Sequence, residues 1–374
     1  MTASSSLMPP ASESAAAPPS LLSVDNLRKH FPLRGSWPWS KSRGVVKAVD
    51  GVSFELGERE TLALVGESGC GKTTTARLLL QLGEPTSGGV AFHGTGIWRL
   101  DRESQRRYRR SVQAVFQDPT SALSPRRRVK KIVTEPLITI EKVSRGDAES
   151  RISDLLAPVG LTPDVADRFP HQLSGGMKQR VAIAQALATR PSVIVLDEPV
   201  SALDVSTSAE ILNLLKGIQA DFGVSYVLIT HNLATVRYLA HQVAAMYLGA
   251  IVEKGSNSEI FHNAIHPYTL ALVSASLPRE EASPGRERII LEGDLPSPVN
   301  PPKGCRFHTR CWLAQSLGNP DRCRSEEPVL QRISGTQRAA CHFTAEAAAS
   351  PQRQALLASL TAADADIPND EGAE

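Results

Sequence analysis

The segment GESGCGKT, from Gly66 to Thr73, has the residue types and the spacing that bind nucleotide phosphates. It matches G-x-x-x-x-G-K-[S/T], follows the apolar run TLALVG and precedes a helical pattern, as a phosphate-binding loop (P-loop) requires. Lys72 is placed to neutralise the β- and γ-phosphates, and the Thr73 hydroxyl to ligate Mg²⁺. A purely structural glycine turn is disfavoured because every fixed position matches. The predicted nucleotide contacts are Gly66, Glu67, Ser68, Gly69, Cys70, Gly71, Lys72, Thr73 and Thr74.

Two consecutive acids, Asp197 and Glu198, end the apolar run VIVLD further along the chain. A P-loop needs a carboxylate partner for the metal, and we expect Asp197 to hold Mg²⁺ directly or through water. Glu198 is then placed beside the γ-phosphate, where a carboxylate orients and deprotonates water. The alternative is an acidic pair in a solvated turn, which the upstream P-loop makes less favourable.

The elements that must position these residues alternate between strand and helix patterns. Short continuous apolar runs predict buried strands at 61–66, 192–199 and 225–231. Helical periodicity follows each run, at 72–82, 208–222 and 232–240. This alternation predicts an α/β fold with a mainly parallel sheet, and residues from about 121 to 180 read as a helical insert.

Composition limits the functional classes. The 374 residues are 41% hydrophobic and 21% charged, with a formal net charge of +2, which gives no electrostatic argument for a nucleic-acid partner. No apolar run reaches the length of a membrane span, and the N-terminus lacks the features of a secretory signal. We therefore expect a cytosolic chain. Residues 1–20 read as a disordered tail and residues 346–374 as an acidic flexible tail.

Four of the five cysteines cluster near the C-terminus. Their spacing, C-x₅-C-x₁₁-C-x₁₇-C, matches neither common zinc fingers nor ferredoxins, yet four thiolates suit either Zn²⁺ or a [4Fe–4S] cluster. His308 and His342 keep a mixed Cys/His zinc site open, and free buried thiols are a third reading. The segment is Pro-rich and starts near residue 266, which predicts a small second module. The cysteines are Cys305, Cys311, Cys323 and Cys341.

Further motifs resemble those of ABC-transporter ATPase subunits. LSGGMKQR (173–180) resembles the family signature, VFQDP (115–119) the Q-loop, SALD (201–204) the D-loop and ITH (229–231) the switch-histidine motif. With the P-loop, these motifs appear in the family's order, and the resemblance covers about residues 22–343. It implies a P-loop NTPase core with an antiparallel β subdomain and a helical subdomain.

The resemblance also implies roles for single residues. His231 would align Glu198 with the γ-phosphate, and Gln117 would contact Mg²⁺ and the attacking water and sense a membrane subunit. Phe31 in LRKHF would stack on adenine, although it is also readable as ordinary core. The signature would bind ATP held by a partner subunit, and the D-loop would lie at the dimer interface; the residues concerned are Ser174, Gly175, Gly176 and Asp204.

The chain departs from the usual family pattern at three positions: Cys70, Met177 and Asn232 stand where Ser, Gln and Asp are common. Cys70 and Met177 remove no phosphate donor, so we expect ATP binding to persist, and the effect of Asn232 is open.

Within the family, FQDPTSALSPR, HPYTLALVSASLP (266–278) and GCRFHTRC resemble the dipeptide and oligopeptide importer group. That likeness implies a second, different ATPase subunit, two membrane-spanning permease subunits, a substrate-binding protein and a position at the cytoplasmic face of the bacterial inner membrane. It also favours a [4Fe–4S] cluster over zinc at the four cysteines. The cargo stays open between peptides, nickel chelates and other small solutes. A soluble ABC ATPase outside transport is the rival class.

The predicted domains are therefore an ATPase domain over 21–265 and a Cys-rich C-terminal module over 266–345, between the two tails. The basic stretch SPRRRVKK (124–131) follows Gln117, and we expect it to face the membrane subunits or acidic headgroups. The tryptophan-containing stretch at 34–44 reads as a variable loop, with membrane contact as the alternative.

Overall fold

The computed structural model describes residues 20–33, 44–276 and 288–365. The predicted N-terminal tail up to residue 19, the loop over 34–43 and the last nine residues of the predicted acidic tail lie outside the described residues. Among the described helices, none is both long and apolar enough to cross a lipid bilayer.

The strands follow the chain from the N-terminal region to the C-terminal cysteines. They are β1 (Leu22–Pro32), β2 (Val45–Leu56), β3 (Thr61–Val65), β4 (Ser87–Phe92), β5 (Thr95–Gly96), β6 (Val112–Val115), β7 (Val193–Asp197), β8 (Ser225–Ile229), β9 (Gln242–Tyr247), β10 (Ala250–Ser256), β11 (Gln331–Ser334) and β12 (Gln337–Ala339).

The helices are mostly short between β6 and β7 and again around the C-terminal cysteines. They are α1 (Lys72–Leu79), α2 (Arg102–Ser111), α3 (Pro119–Ala122), α4 (Val129–Val133), α5 (Glu135–Thr139), α6 (Arg145–Ser150), α7 (Ile152–Leu156), α8 (Gly175–Leu187), α9 (Val205–Phe222), α10 (Leu233–Leu239), α11 (Asn257–Asn263), α12 (Pro267–Ser276), α13 (Trp312–Ser316), α14 (Asp321–Ser325), α15 (Thr344–Ala349) and α16 (Pro351–Ala365). Single 3₁₀ turns cover Ile97–Arg99, Ala157–Val159, Pro163–Asp167, Pro170–Gln172 and His308–Arg310.

The central sheet has the order β11-β12-β10-β9-β3-β8-β7-β6 within the described part of the chain. The strands from β9 to β6 in that order pair in parallel. Every residue of β3, β7 and β8 is buried, because other elements pack on both faces of this part of the sheet. The predicted α/β fold is confirmed, and each apolar run lies on a strand at the expected place.

A second, antiparallel sheet has the order β2-β1-β4-β5 among the described strands. Its buried face shares one hydrophobic cluster with β3 and α1, including Leu22, Val52, Leu64 and Leu78. The helices α3 to α8 occupy residues 119–187, where the sequence indicated a helical insert. Their apolar side chains join the cluster on the other face of the central sheet.

The C-terminal segment differs from the expectation of a separate small module. The hairpin β11–β12 pairs with β10 and so extends the central sheet. Phe307, Cys311 and Leu313 belong to the same hydrophobic cluster as the ATPase helices. A short Pro-rich segment buries too little surface to form a core alone, so it packs on the larger one.

The first part of the segment predicted as a flexible tail from residue 346 is helical in the structure. Residues 344–365 form α15 and α16, and Leu356 and Leu360 are 6% and 1% exposed. These two leucines lie four residues apart on one helix face and pack on the core, whereas the acids that suggested a tail are concentrated after residue 362.

Candidate functional site

The predicted site residues meet at one edge of the central sheet. The P-loop follows β3, Gln117 follows β6, Glu198 follows β7 and His231 follows β8. Because these strands are parallel, their carboxyl ends lie together, which is where open α/β sheets bind ligands.

The P-loop depends on glycine at two points of close approach. A Cβ on Gly66 would lie 2.3 Å from the Met246 carbonyl oxygen, and one on Gly71 would lie 2.2 Å from that of Ala48. Both glycines have positive φ, at 148° and 111°. Any side chain at either position would therefore displace the loop from the neighbouring strands.

Lys72 folds back on the loop that precedes it. Its Nζ donates to the carbonyls of Gly66 at 2.7 Å and Glu67 at 3.0 Å, and the residue is 7% exposed. Nζ also contacts the Cys70 sulfur at 3.7 Å, so these hydrogen-bond contacts of the ammonium are all with uncharged groups, which phosphate oxygens can replace. Cys70 is buried beside it, and burial raises the pKa of the Cys70 thiol.

Asp197 and Thr73 are the residues that the sequence predicts to hold Mg²⁺, and they are joined by a hydrogen bond. Burial raises the pKa of the Asp197 carboxyl above 3.8 and the charge of Glu198 raises it further, while Lys72 and a hydrogen bond with Thr73 act against this rise. A carboxylate and a hydroxyl are ligands that Mg²⁺ accepts, together with phosphate oxygens. The pair therefore fits the metal that the sequence implied.

Gln117, Glu198 and His231 form a hydrogen-bonded chain. Gln117 Nε2 donates to Glu198 Oε2 at 2.8 Å, and His231 Nδ1 lies 2.9 Å from Glu198 Oε1. The Glu198 carboxylate is thus held between an amide and an imidazole that come from two other strands. This geometry can orient and deprotonate a water molecule.

These side chains surround a cavity of about 630 Å³. Three apolar residues that the sequence did not single out also line it, namely Ala48, Leu233 and Leu272. They come from β2, α10 and α12, and an apolar residue on a helix or strand carries no sequence signal for a ligand contact. The predicted residues on the wall are Gly66, Glu67, Ser68, Gly69, Gly71, Lys72, Thr73, Thr74, Gln117, Glu198 and His231.

The remaining predicted contacts lie outside this wall. Ser174 caps α8 by accepting the Met177 N–H at 3.2 Å, and Asp204 caps α9 by accepting the Thr207 N–H at 2.8 Å. Hydrogen bonds lower the pKa of Asp204 to about 2. Ser174 and Asp204 are predicted to contact a second subunit, so their position away from the chain's own cavity agrees with that prediction. Phe31 is 44% exposed, and the Lys29 ammonium lies 5.1 Å from its ring centroid.

The four C-terminal cysteines lie near one another but form no preassembled ion site. Burial raises the pKa of the thiols of Cys305 to about 11 and of Cys311 and Cys341 to about 12, and neighbouring cysteines of the group add to each shift. The Cys305 N–H donates to the Cys323 carbonyl at 2.9 Å. Within the described ranges, no three His, Cys, Asp or Glu side chains are placed to hold a metal ion.

Two residues of the C-terminal segment reach the P-loop, and sequence reasoning missed both. The Arg310 guanidinium binds the Glu67 carboxylate, and the Tyr268 hydroxyl accepts the Glu67 N–H at 2.8 Å. Tyr268 lies in HPYTL and Arg310 in HTRC, stretches that indicated a family but suggested no role for either side chain.

Comparison with known proteins gives two family matches. Residues 49–201 match the ABC transporter family, and residues 252–317 match the C-terminal region of oligopeptide/dipeptide transporters. A probable peptide ABC transporter ATP-binding protein of Sinorhizobium fredii is 47% identical over 91% of this chain and 94% of its own length. An oligopeptide transport ATP-binding protein of Bacillus subtilis is 43% identical over 88% of this chain and 99% of its own.

Among solved structures, a dimeric ATP-binding cassette bound to ADP and Pi superposes with a TM-score of 0.55 and 28% identity. The match covers 63% of this chain and 98% of that cassette. It therefore leaves about a third of this chain without a counterpart in that cassette.

Proposed function

The chain belongs to the ABC transporter ATP-binding proteins that carry the oligopeptide/dipeptide transporter C-terminal region, and from this premise we propose that it drives peptide import by hydrolysing ATP. The substrates are dipeptides, oligopeptides or similar small solutes, and nickel chelates are the alternative within transport. A soluble ABC ATPase outside transport is less favourable, since the relatives named above are transport subunits along nearly their whole length.

The observation that carries the proposal is the carboxylate of Glu198 held between Gln117 and His231 beside the P-loop. In our proposal, Glu198 removes the proton of the attacking water, and His231 keeps Glu198 in line with the γ-phosphate. Lys72 leaves its loop carbonyls for the β- and γ-phosphate oxygens, and Thr73 and Asp197 hold Mg²⁺. When bound, Mg²⁺ neutralises charge that develops on the phosphates.

A complete site requires a second ATPase subunit. The chain has one P-loop and one signature, and Ser174, Gly175 and Gly176 lie outside the cavity around its own P-loop. We propose that these residues bind the γ-phosphate held by the partner through N–H groups at the start of α8. Asp204 then lies at the interface between the subunits, and Phe31 stacks on adenine.

The assembly that we propose lies at the cytoplasmic face of the inner membrane. It contains this chain, a different ATPase chain, two permease subunits and, indirectly, a substrate-binding protein. Gln117 and the basic residues that follow it face the permeases. The exposed arginines of residues 126–128 support this arrangement, because they place positive charge on the surface of the segment that follows the Q-loop in the chain.

We further propose that the four C-terminal cysteines hold a [4Fe–4S] cluster, with Zn²⁺ as the alternative. A cluster binds each thiolate to a different iron, so it needs four sulfurs around a larger volume than a single ion does. The backbone N–H groups of Ala314 and Phe343 contact the sulfurs of Cys311 and Cys341 at 3.4 Å, and such contacts stabilise thiolates. A structural role fits better than electron transfer.

The transport proposal is tested by uptake of a labelled dipeptide in cells that lack the gene. We expect the wild-type chain to restore uptake and Glu198→Gln to leave it at the background level, with both proteins at equal abundance. Restored uptake with Glu198→Gln would contradict the assignment of the general base. Failure of the wild type to restore uptake, together with ATP hydrolysis by the purified protein, would favour another solute or the soluble class.

A further inference from the structure

The C-terminal segment makes a charged contact with the P-loop. Arg310 donates through Nη1 to Glu67 Oε2 at 2.7 Å and through Nη2 to Oε1 at 3.2 Å. This is the paired geometry in which a guanidinium binds a carboxylate most strongly. Glu67 is the second residue of the loop, and Arg310 is 243 positions away in the chain.

The contact is shielded from water on the arginine side. The Arg310 side chain is 9% exposed and that of Glu67 is 30% exposed. An ion pair in such a place is screened less than one on the surface, and removal of one partner leaves the other charge without compensation.

The C-terminal segment also contacts the peptide backbone of Glu67. Tyr268 of α12 accepts its N–H at 2.8 Å, so this donor points away from the cavity. The carbonyl of Glu67 accepts from Lys72 Nζ at 3.0 Å. Every polar group of Glu67 therefore has a partner, and two of these partners come from the C-terminal segment.

Packed aromatic rings hold the two partners in place. Tyr268 lies 4.9 Å from Tyr247 and 5.5 Å from Phe307 between ring centroids, and Phe307 lies 5.2 Å from Tyr247. The three rings are at most 1% exposed. Phe307 and Arg310 lie between Cys305 and Cys311, so a rigid buried cluster joins the cysteine segment to the P-loop.

We propose that Arg310 is a positioning residue for ATP binding, which neutralises Glu67 and keeps its carboxylate off the phosphates. The proposal rests on the proposed function, because it assumes that the P-loop binds ATP. Glu67 lines the cavity beside Lys72, where an uncompensated carboxylate repels a polyphosphate and competes for the ammonium. Arg310 removes that repulsion without itself lining the cavity.

The test is a cycle of variants in the full-length protein, with ATP as the probe. We expect Arg310→Met to weaken ATP binding about tenfold, equivalent to about 1.4 kcal/mol, and to raise KM with little change in kcat. In the Glu67→Gln background the same substitution has little further effect, because no carboxylate remains to be neutralised. Arg310→Lys retains the positive charge, so we expect it to lower ATP affinity only about threefold.

Arg306→Met is the matched control. Arg306 lies in the same segment and is 11% exposed, but it binds Asp50 and the Leu248 carbonyl and makes no contact with the P-loop. We expect it to lower the unfolding temperature and to leave ATP affinity at the wild-type level. If Arg310→Met does not fold, Arg310→Lys is compared with and without Glu67→Gln in the same way.

Three outcomes would overturn the inference: unchanged ATP affinity in the Arg310 variants, an equal loss in the wild-type and Glu67→Gln backgrounds, or an equal loss in Arg306→Met. Each of them leaves ATP binding by the wild type in place, so the proposed function would stand. Absence of ATP binding by the wild-type protein would instead overturn the proposed function.

Discussion

Glu198 combines a constrained backbone with a fully engaged carboxylate. Its φ is 49°, in the left-handed region that residues other than glycine seldom adopt. Its N–H donates to the Ile229 carbonyl at 2.8 Å, while Gln117 and His231 hold the side chain. Such strain at a catalytic position costs about 1–3 kcal/mol and persists where the surroundings define the geometry. The local structure thus fixes the orientation that the proposed general base requires.

The first prediction concerns this residue. Glu198→Gln removes the proton acceptor but keeps the side-chain size and its polar contacts. We expect ATP binding to persist, hydrolysis to fall by about 10²–10⁴-fold, and the closed dimer with the partner subunit to accumulate. Phosphate release and size-exclusion chromatography with ATP measure these effects.

The matched control is Glu326→Gln. Glu326 is an exposed glutamate that pairs with Arg322 at 3.0 Å, outside the nucleotide site. Hydrolysis at the wild-type rate in Glu198→Gln would refute the role of general base.

At the scale of elements, the cysteine segment has little regular structure of its own and depends on its contacts with the ATPase core. Between β10 and β11 the described chain has only short helices and 3₁₀ turns apart from α12, and much of 288–307 has no regular structure. Its anchors on the hydrophobic core include Phe307, Leu313 and the side chains of Cys305, Cys311 and Cys323. A bound metal group would add the stability that so small a segment lacks.

The second prediction is that Cys311→Ser loosens this segment without unfolding the ATPase core. A serine hydroxyl is a poor ligand for iron or zinc, so this variant would lose the metal group proposed above. We expect visible absorption and iron content to fall and limited proteolysis to cut between residues 288 and 343. Cys70→Ser is the control, since that thiol lies in the P-loop, and its absorption should match the wild type. Unchanged absorption and proteolysis in Cys311→Ser would refute the prediction.

At the scale of the whole molecule, one buried polar network ties the ATPase sheet to the C-terminal segment. Glu253 of β10 accepts the N–H groups of Ile265 and His266 at 2.8 and 3.0 Å and the side-chain amide of Gln337 at 2.8 Å. His266 Nδ1 in turn accepts the Tyr268 N–H at 3.1 Å. Tyr268 leads to the P-loop, so the network links overall stability with the geometry of the site.

The third prediction concerns the pH dependence of folding. Burial lowers the pKa of His266 from 6.5 to about 3. The folded protein therefore keeps this imidazole neutral while the unfolded chain takes up a proton, and stability decreases as pH falls from about 6.5 toward 3. The contribution of His266 to this loss is about 1.4 kcal/mol between pH values of about 7.5 and 5.5.

His266→Asn supplies the comparison, because its Oδ1 replaces Nδ1 as acceptor and does not titrate. Burial raises the pKa of Glu253, which acts in the opposite direction as pH falls but is common to both proteins. Urea unfolding at the two pH values measures the difference. Equal slopes for wild type and His266→Asn would contradict the prediction.

The nucleotide chemistry and the family could be predicted from the sequence because they depend on local patterns. The phosphate-binding motif lies within one loop, in which Lys72 follows the glycines. Asp197 and Glu198 likewise end a single apolar strand. Each pattern is made of contiguous residues, so it can be recognised in the sequence alone. The parallel order of the strands then brings Gln117, Glu198 and His231 together, as the sequence indicated.

Only the tertiary structure decided how the C-terminal segment is used. Composition suggested a separate module and a flexible tail, whereas β11, β12 and α16 pack on the ATPase core. The pairs Arg310–Glu67 and Tyr268–Glu67 join residues more than 200 positions apart. No local pattern specifies such contacts, because they arise from the packing of buried rings and from the need of each buried charge for a partner.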